Sequence, residues 1–429
     1  MKKTIFWFRR DLRLEDNIGL TQAISNFQTV QPIFIFDEDI VNELPADDPR
    51  VNFIYDNLAK MNKTLSENGS SLLILKGKPE EVWSQLLEKH EIDAVFFNRD
   101  YEPYARKRDE KIIQLLSKNN IKCAVFKDSV IHEENDVLKK DGLPYTVYTP
   151  YKNKWLEYYT PQEVLPPISF QNFIKADNKF PSMEDLGFER SSIKVQDFKL
   201  SHLATYGETR NFPEQDSTSY LGPHLRFGTV SVRQVIAQSK KTRDEVFLSE
   251  LVWREFFMQI LFHFPHVVTN NFRPKYDGIE WRNNEQDFEK WCNGNTGYPM
   301  VDAGMRQLNE TGYMHNRVRM LTAGFLVKHL LIDWKWGEAY FAKKLLDYEL
   351  ASNNGNWQWA AGTGCDSAPY FRIFNPIEQL KKFDKNQVYI KQWIPELLSG
   401  TYAMPMVEHK MARVRALDTY KEGIEKFEG

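Results

Sequence analysis

Five short runs of β-branched and aromatic residues, TIFWF, PIFIF, SLLIL, DAVFF and CAVF, recur between residues 4 and 128, separated by helical stretches. Apolar runs without polar alternation suit strands buried on both faces, and a parallel pair needs a crossover long enough to hold a helix. The alternation therefore predicts a parallel, five-stranded, doubly wound α/β sheet. Such a sheet offers a crevice at its strand ends, yet neither GxGxxG nor GxxxxGKS/T follows any run, so no phosphate loop is signalled there. Residues 131–200 carry Pro144, Pro150, Pro161, Pro166, Pro167 and Pro181 in a polar, weakly periodic stretch, which reads as an interdomain connector. Beyond about residue 201 the helical period dominates, and eight of the 11 tryptophans lie from Trp253 onward. The expected organisation is an α/β domain over 1–130, a connector over 131–200 and an all-α domain over 201–429 that carries the chemistry.

Composition narrows the partners. A net charge of -3 and a pI near 6.4 do not suggest a protein held to nucleic acid by bulk charge, so any such footprint is a local basic patch. Cys123, Cys292 and Cys365 lie far apart with no CxxC pair, which argues against a disulfide framework or a metal site and fits a reducing cytoplasm. Arg9, Arg10 and Asp11 end the N-terminal apolar run too early for a signal peptide, and no stretch approaches the roughly 20 apolar residues of a membrane span. A cytoplasmic monomer without metal is the expectation.

Three segments concentrate unusual residues. DYELASNNGNWQWAAGTGCDSAPYFRIFNP (347–376) sets two carboxylates, paired asparagines and two tryptophans beside NNGN, whose Asn and Gly favour turns. That mixture is poor core material and reads as a ligand site for something flat and polar-edged. EVFLSELVWREFFMQILFHF (245–264) is apolar nearly all round, so its polar residues are informative: Glu250, Trp253, Arg254 and Phe257 fall on one face at i, i+3, i+4 and i+7. They line a cavity or, more blandly, form an internal Glu250–Arg254 ion pair. In GYMHNRVRMLTAGFLVKHLLIDWKWGEAYF (312–341), Asn316, Arg319 and Met320 share a face with Arg317 to the side. TSYLG (218–222), with Tyr206 and Arg210 before it and PHLRFGTVS after it, places hydroxyls and backbone amides at a helix start, as suits a pyrophosphate or an ordinary cap.

Together with FWFRRDLRLEDN near the N-terminus, WREFF, TGYPMVDAGMRQL and IKQWIPEL, these motifs resemble the photolyase/cryptochrome family along essentially the whole chain, in its class I cyclobutane pyrimidine dimer branch. The resemblance implies FAD, reduced and anionic when active, held by Tyr206, Thr218, Ser219, Tyr220, Leu221, Gly222, Arg254, Arg319, Asp347, Glu349 and Asn353. Arg319 is to pair with Asp347, and Asn353 is to contact flavin N5. Gly222 stands where many relatives have Ser, and Glu349 where many have Asp. The resemblance further implies that Trp357, Trp334 and Trp281 carry electrons from the surface to the flavin. Arg210, Glu250, Trp253, Asn316, Arg317, Met320, Trp359 and Gln379 are to meet UV-damaged DNA, with Glu250 on the dimer's polar edge and the indoles of Trp253 and Trp359 stacking on flipped pyrimidines. Asn316 occupies the place of a second histidine after His315 that the 6-4 enzymes typically carry. A second, light-harvesting chromophore, a folate or a deazaflavin near Glu102, is compatible with the pattern.

The main alternative is a cryptochrome-type blue-light sensor using the same FAD and tryptophans. Against it stand the short segment after the last family motif and the complete lesion-side set. A nucleotide-dependent hydrolase is a third reading, but His263 and His266 form no HExxH and no nucleophile elbow is visible.

Overall fold

The computed structural model describes residues 2–161, 164–242 and 244–428. Its contacts divide the chain into two compact units: Met1–Asp136, Tyr158–Phe198 and Tyr220–Lys241 form the first, and Val137–Glu157, Lys199–Ser219 and Thr242–Gly429 the second. The stretch read as a connector over 131–200 is thus not a linker between two continuous domains. Its proline-rich, polar composition hides a helix with Tyr148, Tyr151 and Trp155 buried at i, i+3 and i+7, and that face packs it into the second unit.

In the first unit the five apolar runs form strands β1 (Lys3–Phe8), β2 (Val30–Asp37), β3 (Leu73–Gly77), β4 (Ile92–Asn98) and β5 (Lys122–Phe126). They pair in parallel in the order β3-β2-β1-β4-β5, with Ile5 opposite both Gln31 and Val95. Period-2 alternation sends Ile5 and Trp7, with Ile33, Ile35, Val95 and Phe97, to one face. That face packs against Val82, Trp83, Leu86, Ile112 and Leu116 of the helices Pro79–Lys89 and Pro103–Lys118. Phe6, Phe8, Phe34, Phe36 and Phe96 take the other face, under the helices Ile18–Asn26 and Pro49–Glu67. Burial on both faces is why β1, β2 and β4 read as continuous apolar runs.

The strand order reverses between β1 and β4, the position where open sheets of this kind usually bind ligands. Here polar side chains fill it. Asn98 donates to Asp11 at 2.6 Å, Arg10 pairs with Asp100 at 3.1 Å, and the remaining void among Arg9, Arg10, Asp11, Asn98 and Asp128 is about 10 Å³. The missing phosphate-loop sequence agrees with that closure. Glu102, the residue singled out for a second chromophore, is held by Arg10 at 3.1 Å and Arg226 at 3.5 Å.

The second unit is helical, and seven helices position its chemistry: α1 (Tyr148–Tyr158), α2 (Glu245–His263), α3 (Pro299–Thr311), α4 (Asn316–Gly324), α5 (Trp334–Lys344), α6 (Leu350–Ala361) and α7 (His409–Glu428). Asp244 caps α2 by accepting from the Val246 amide at 2.8 Å, and Asp333 caps α5 in the same way. The NNGN sequence, expected to turn, lies inside α6. Tertiary contacts override its weak helix propensity: Asn354 donates to Val267 O at 2.8 Å and Asn353 to Glu338. Gly355 is required because any Cβ there would sit 2.1 Å from Phe257 of α2. The turn comes later, at Gly362, which ends α6 with φ of 87°. Among the described residues, no helix is long and apolar enough to cross a membrane.

Candidate functional site

One face of α2 organises a group of arginines and carboxylates. Glu250 does not take Arg254 one turn along its own helix; it makes a short contact with Arg210 from the segment before α2. Arg254 instead reaches Glu349 at 3.0 Å, and Ser352 donates to the other oxygen of that carboxylate at 3.0 Å. The bland alternative of an internal Glu250–Arg254 pair is therefore not what forms, and Glu349 serves as an ion-pair partner at the start of α6. Across the group, Arg319 grips Asp347 with both terminal nitrogens, at 3.2 and 2.9 Å, while its Nε donates to Met314 O at 2.8 Å. That bidentate geometry fixes the guanidinium plane. It is the pairing that the family resemblance implied.

Donors outnumber acceptors here. Arg317 donates to Asn211 Oδ1 at 2.5 Å and stacks over Phe383, but its Nε is buried without a hydrogen-bond partner. Burial, then Arg210 and Arg372, pushes the Arg317 pKa down. His315 accepts from the Arg317 amide through Nδ1 at 3.1 Å, so its proton sits on Nε2, which is also buried without a partner. Burial, followed by Arg319, Arg317 and Arg210, lowers the His315 pKa to about 4 and keeps the ring neutral. Burial raises the Glu250 pKa, and Arg210, by charge and hydrogen bond, opposes it. Buried donors left without acceptors among several cationic groups fit an anionic ligand.

The tryptophans singled out lie on α2, α5, α6 and the segment before α3. Trp253 is half-buried and lies flat against Tyr148 of α1, with ring centroids 3.7 Å apart and planes 8° apart. Trp359 is half-buried on α6, and Asn316 and Met320 sit one turn apart on α4, Nδ2 to Sδ at 4.0 Å. Tyr206 packs edge-on against Phe247, and Gln379 is half-buried on the helix Pro376–Phe383. Trp357 is buried against Gly337, where a Cβ would lie 2.1 Å from the indole. Gly337 is one turn along α5 from Trp334, which is itself buried with its Nε1 donating to Asn271 at 2.9 Å. Trp281 is partly exposed and meets Tyr420 of α7 edge-on. Trp357 and Trp334 are thus both buried, and Trp281 is partly exposed. Asn353 donates to Glu338 Oε1 at 2.8 Å and to Glu338 O at 3.1 Å, which pins its amide nitrogen and leaves the carbonyl end for another partner.

Thr218 and Ser219 end one segment of the second unit, whereas Tyr220, Leu221 and Gly222 begin a segment of the first. Tyr220 takes a positive φ of 54°, and Gly222 opens a five-residue helix. The three cysteines are free, and burial raises the thiol pKa values to about 11 for Cys123 and about 12 for Cys292 and Cys365, so they are poor nucleophiles.

Sequence reasoning missed Tyr148, Lys152, Asn211 and Glu338. Glu338 had a signal, an acid inside the aromatic run WKWGEAYF, and burial raises its pKa. Lys152, whose charge acts on Glu250, had none.

Residues 4–169 match the family model described as DNA photolyase, and residues 247–400 that of the FAD binding domain of DNA photolyase. The chain is 35% identical to the deoxyribodipyrimidine photo-lyase of Synechococcus sp. over 97% of its own length and 96% of that protein's. It belongs to the DNA photolyase family. Among solved structures, a bacterial class III photolyase from Agrobacterium tumefaciens superimposes with a TM-score of 0.89 at 34% identity, covering 99% of this chain and 98% of that one. An archaeal photolyase from Sulfolobus tokodaii with two FAD molecules, interpreted as including a novel light-harvesting cofactor, gives 0.86 at 37% identity over 98% and 100%. Similarity to a class III enzyme at this level leaves the class I assignment unconfirmed; the matches show a deoxyribodipyrimidine photo-lyase with an FAD-binding domain that acts in DNA repair, and do not favour the cryptochrome alternative.

Proposed function

We propose that the protein is a light-driven lyase that splits cyclobutane pyrimidine dimers in DNA. The observation that carries this reading is the donor surplus around Arg317 and Arg210, whose partner Glu250 lies one helical turn from the half-buried Trp253. Arg317 has an unsatisfied Nε and lies near Arg210 and Arg372, which disfavour its charge, so a backbone phosphate there would supply the missing acceptor. Trp253 and Trp359 offer flat apolar surfaces for a base pair already poorly stacked, the kind that leaves a duplex at least cost.

When bound and reduced, FAD supplies the single light-driven electron that ring cleavage needs and receives one afterwards. The chain's own residues hold and orient. Arg254, Arg319, Asp347, Glu349 and Asn353 are assigned to the flavin, with Glu338 fixing which end of the Asn353 amide faces it. Tyr206 and the Thr218, Ser219, Tyr220, Leu221, Gly222 stretch are assigned to the rest of the cofactor. Glu250 is assigned to the lesion's polar edge and Arg210 to phosphate, so the Glu250–Arg210 contact seen here opens when DNA binds. Asn316, Met320 and Gln379 complete the lesion side. Trp281, Trp334 and Trp357 are assigned to recharging the cofactor.

The test is dimer repair per absorbed photon on a defined oligonucleotide, with a 6-4 lesion as control. Wild-type protein monomerises the dimer and not the 6-4 product. Glu250→Ala, at unchanged FAD content, loses on the order of 10² in repair, the size found for removal of one preorganised charge-stabilising contact at other sites. Protein that takes up FAD and photoreduces it but repairs neither lesion favours the sensor reading instead.

A further inference from the structure

Tyr148 lies outside every motif that carried the functional reading, yet it touches three parts of the proposed lesion wall. Its ring covers one face of Trp253 at 3.7 Å. Its hydroxyl donates to Ser249 O at 2.7 Å and sits 2.6 Å from Ser249 Oγ. Ser249 precedes Trp253 by one helical turn, and its carbonyl is the one the α2 ladder directs at the Trp253 amide. The tyrosine thus grips both the indole and the turn that carries it. At its other end, the Tyr148 amide opens α1 and donates to the Asp366 carboxylate at 2.9 Å, in the loop that leaves α6 after Trp359. A carboxylate at a helix N-terminus satisfies an otherwise orphaned amide and suits the helix dipole.

The remaining surroundings of Trp253 are aromatic and fixed: Phe256 meets it edge-on at 5.6 Å and Phe257 at 5.4 Å with planes 34° apart. With Tyr148 in place, the indole cannot rotate without breaking a stacked pair, and the face it turns to a ligand is set. Burial raises the Tyr148 pKa, so its hydroxyl stays a donor throughout the physiological range.

Resting on the lesion reading above, we propose that Tyr148 is a positioning residue that sets the plane of Trp253, and through Asp366 its placement relative to Trp359, so that the pair discriminates a dimer from undamaged bases. In this role its effect passes through the indole rather than through contact with cofactor or substrate. Discrimination is the property at stake because contacts to phosphates hold damaged and undamaged DNA alike, whereas a rigid, puckered dimer meets a stacking wall of fixed orientation.

The experiment compares Tyr148→Ala, Tyr148→Leu and Tyr148→Phe with wild-type holoenzyme. The readouts are FAD content, photoreduction rate, affinity for a dimer-containing and an undamaged oligonucleotide, and repair yield per photon at saturating DNA. Tyr148→Ala is expected to weaken dimer binding about three- to tenfold, the range for loss of one aromatic pair, with undamaged-DNA affinity within about twofold. Saturating yield, FAD content and photoreduction stay at wild-type levels. Tyr148→Phe keeps the stack and restores the preference, whereas Tyr148→Leu fills the space without stacking and behaves like the alanine variant. Equal dimer affinity in the alanine or leucine variant and wild type overturns the proposal, as does tighter binding, which would make Tyr148 an obstruction. If the alanine variant loses FAD as well, the leucine and phenylalanine variants decide by the same criterion. A wild-type protein that repairs dimers without preferring to bind them overturns the proposal alone; one that neither binds nor repairs them overturns the lesion reading beneath it.

Discussion

His315 shows how much a single residue's surroundings decide. As the cap of α4 it accepts a backbone hydrogen bond through Nδ1, and that bond fixes the tautomer. Burial, and then three arginines, hold its pKa at about 4, below the ordinary value near 6.5. The linkage sign follows. Above about pH 6.5 the ring is neutral in both folded and unfolded chains and contributes no pH dependence. As the pH falls from 6.5 towards 4, the unfolded chain binds a proton that the folded one refuses, so the folded state loses stability across that window and the loss levels off below it. His315→Gln, neutral at every pH, is expected to flatten this part of the denaturant-midpoint profile relative to wild type. Identical slopes for the two proteins between pH 6.5 and 4 would show that the ring is not shielded from protonation. Glu250 and Arg210 make a related point: forty residues apart in sequence, they meet in the fold, while the nearer candidate Arg254 goes to Glu349.

At the scale of elements, what could be read in advance was whatever depends on local pattern. The strands were legible because burial on both faces leaves an apolar run, and α2 because nineteen residues without a polar face leave few other places to go. The Arg319–Asp347 pair was legible only through resemblance. The course of the chain over 131–200 was misread because a few aromatics at helical spacing were outweighed by prolines, although those aromatics place α1 against α2. NNGN was misread because propensity says nothing of Phe257, which needs Gly355 beside it. The packing of α5 on α6 is the element-level feature with the clearest consequence, since Gly337 lets Trp357 approach the turn that carries Trp334. Trp357→Phe is expected to slow photoreduction of oxidised FAD by at least about tenfold, because removing the indole interrupts the proposed electron path, while chemically reduced protein still repairs. Photoreduction at the wild-type rate would exclude Trp357 from the path.

For the whole molecule, the decisive contrast is between a net charge of -3 and a cluster holding Arg210, Arg317, Arg319 and Arg372. Bulk charge repels a polyanion weakly; a local group of guanidiniums attracts it and aligns it. Two of these arginines already hold carboxylates, Arg210 with Glu250 and Arg319 with Asp347, so they add little net field and release few counterions. Arg317 differs: its partner is the neutral Asn211 amide and its Nε is unsatisfied. It is therefore the residue whose charge a phosphate would neutralise most directly, and Arg210 follows once Glu250 turns to the lesion. Affinity for dimer-containing DNA is expected to fall linearly on a log–log plot against salt, and Arg317→Ala to make that slope shallower by about one phosphate contact. Because a phosphate contact carries no base information, the same variant should weaken undamaged and damaged DNA by a similar factor and leave the preference between them intact, in contrast to the Tyr148 variants. The measurement is fluorescence anisotropy of both oligonucleotides from low to physiological salt, with FAD content matched. An unchanged slope would remove Arg317 from the DNA contact; a lost preference with an unchanged slope would place it against the lesion itself.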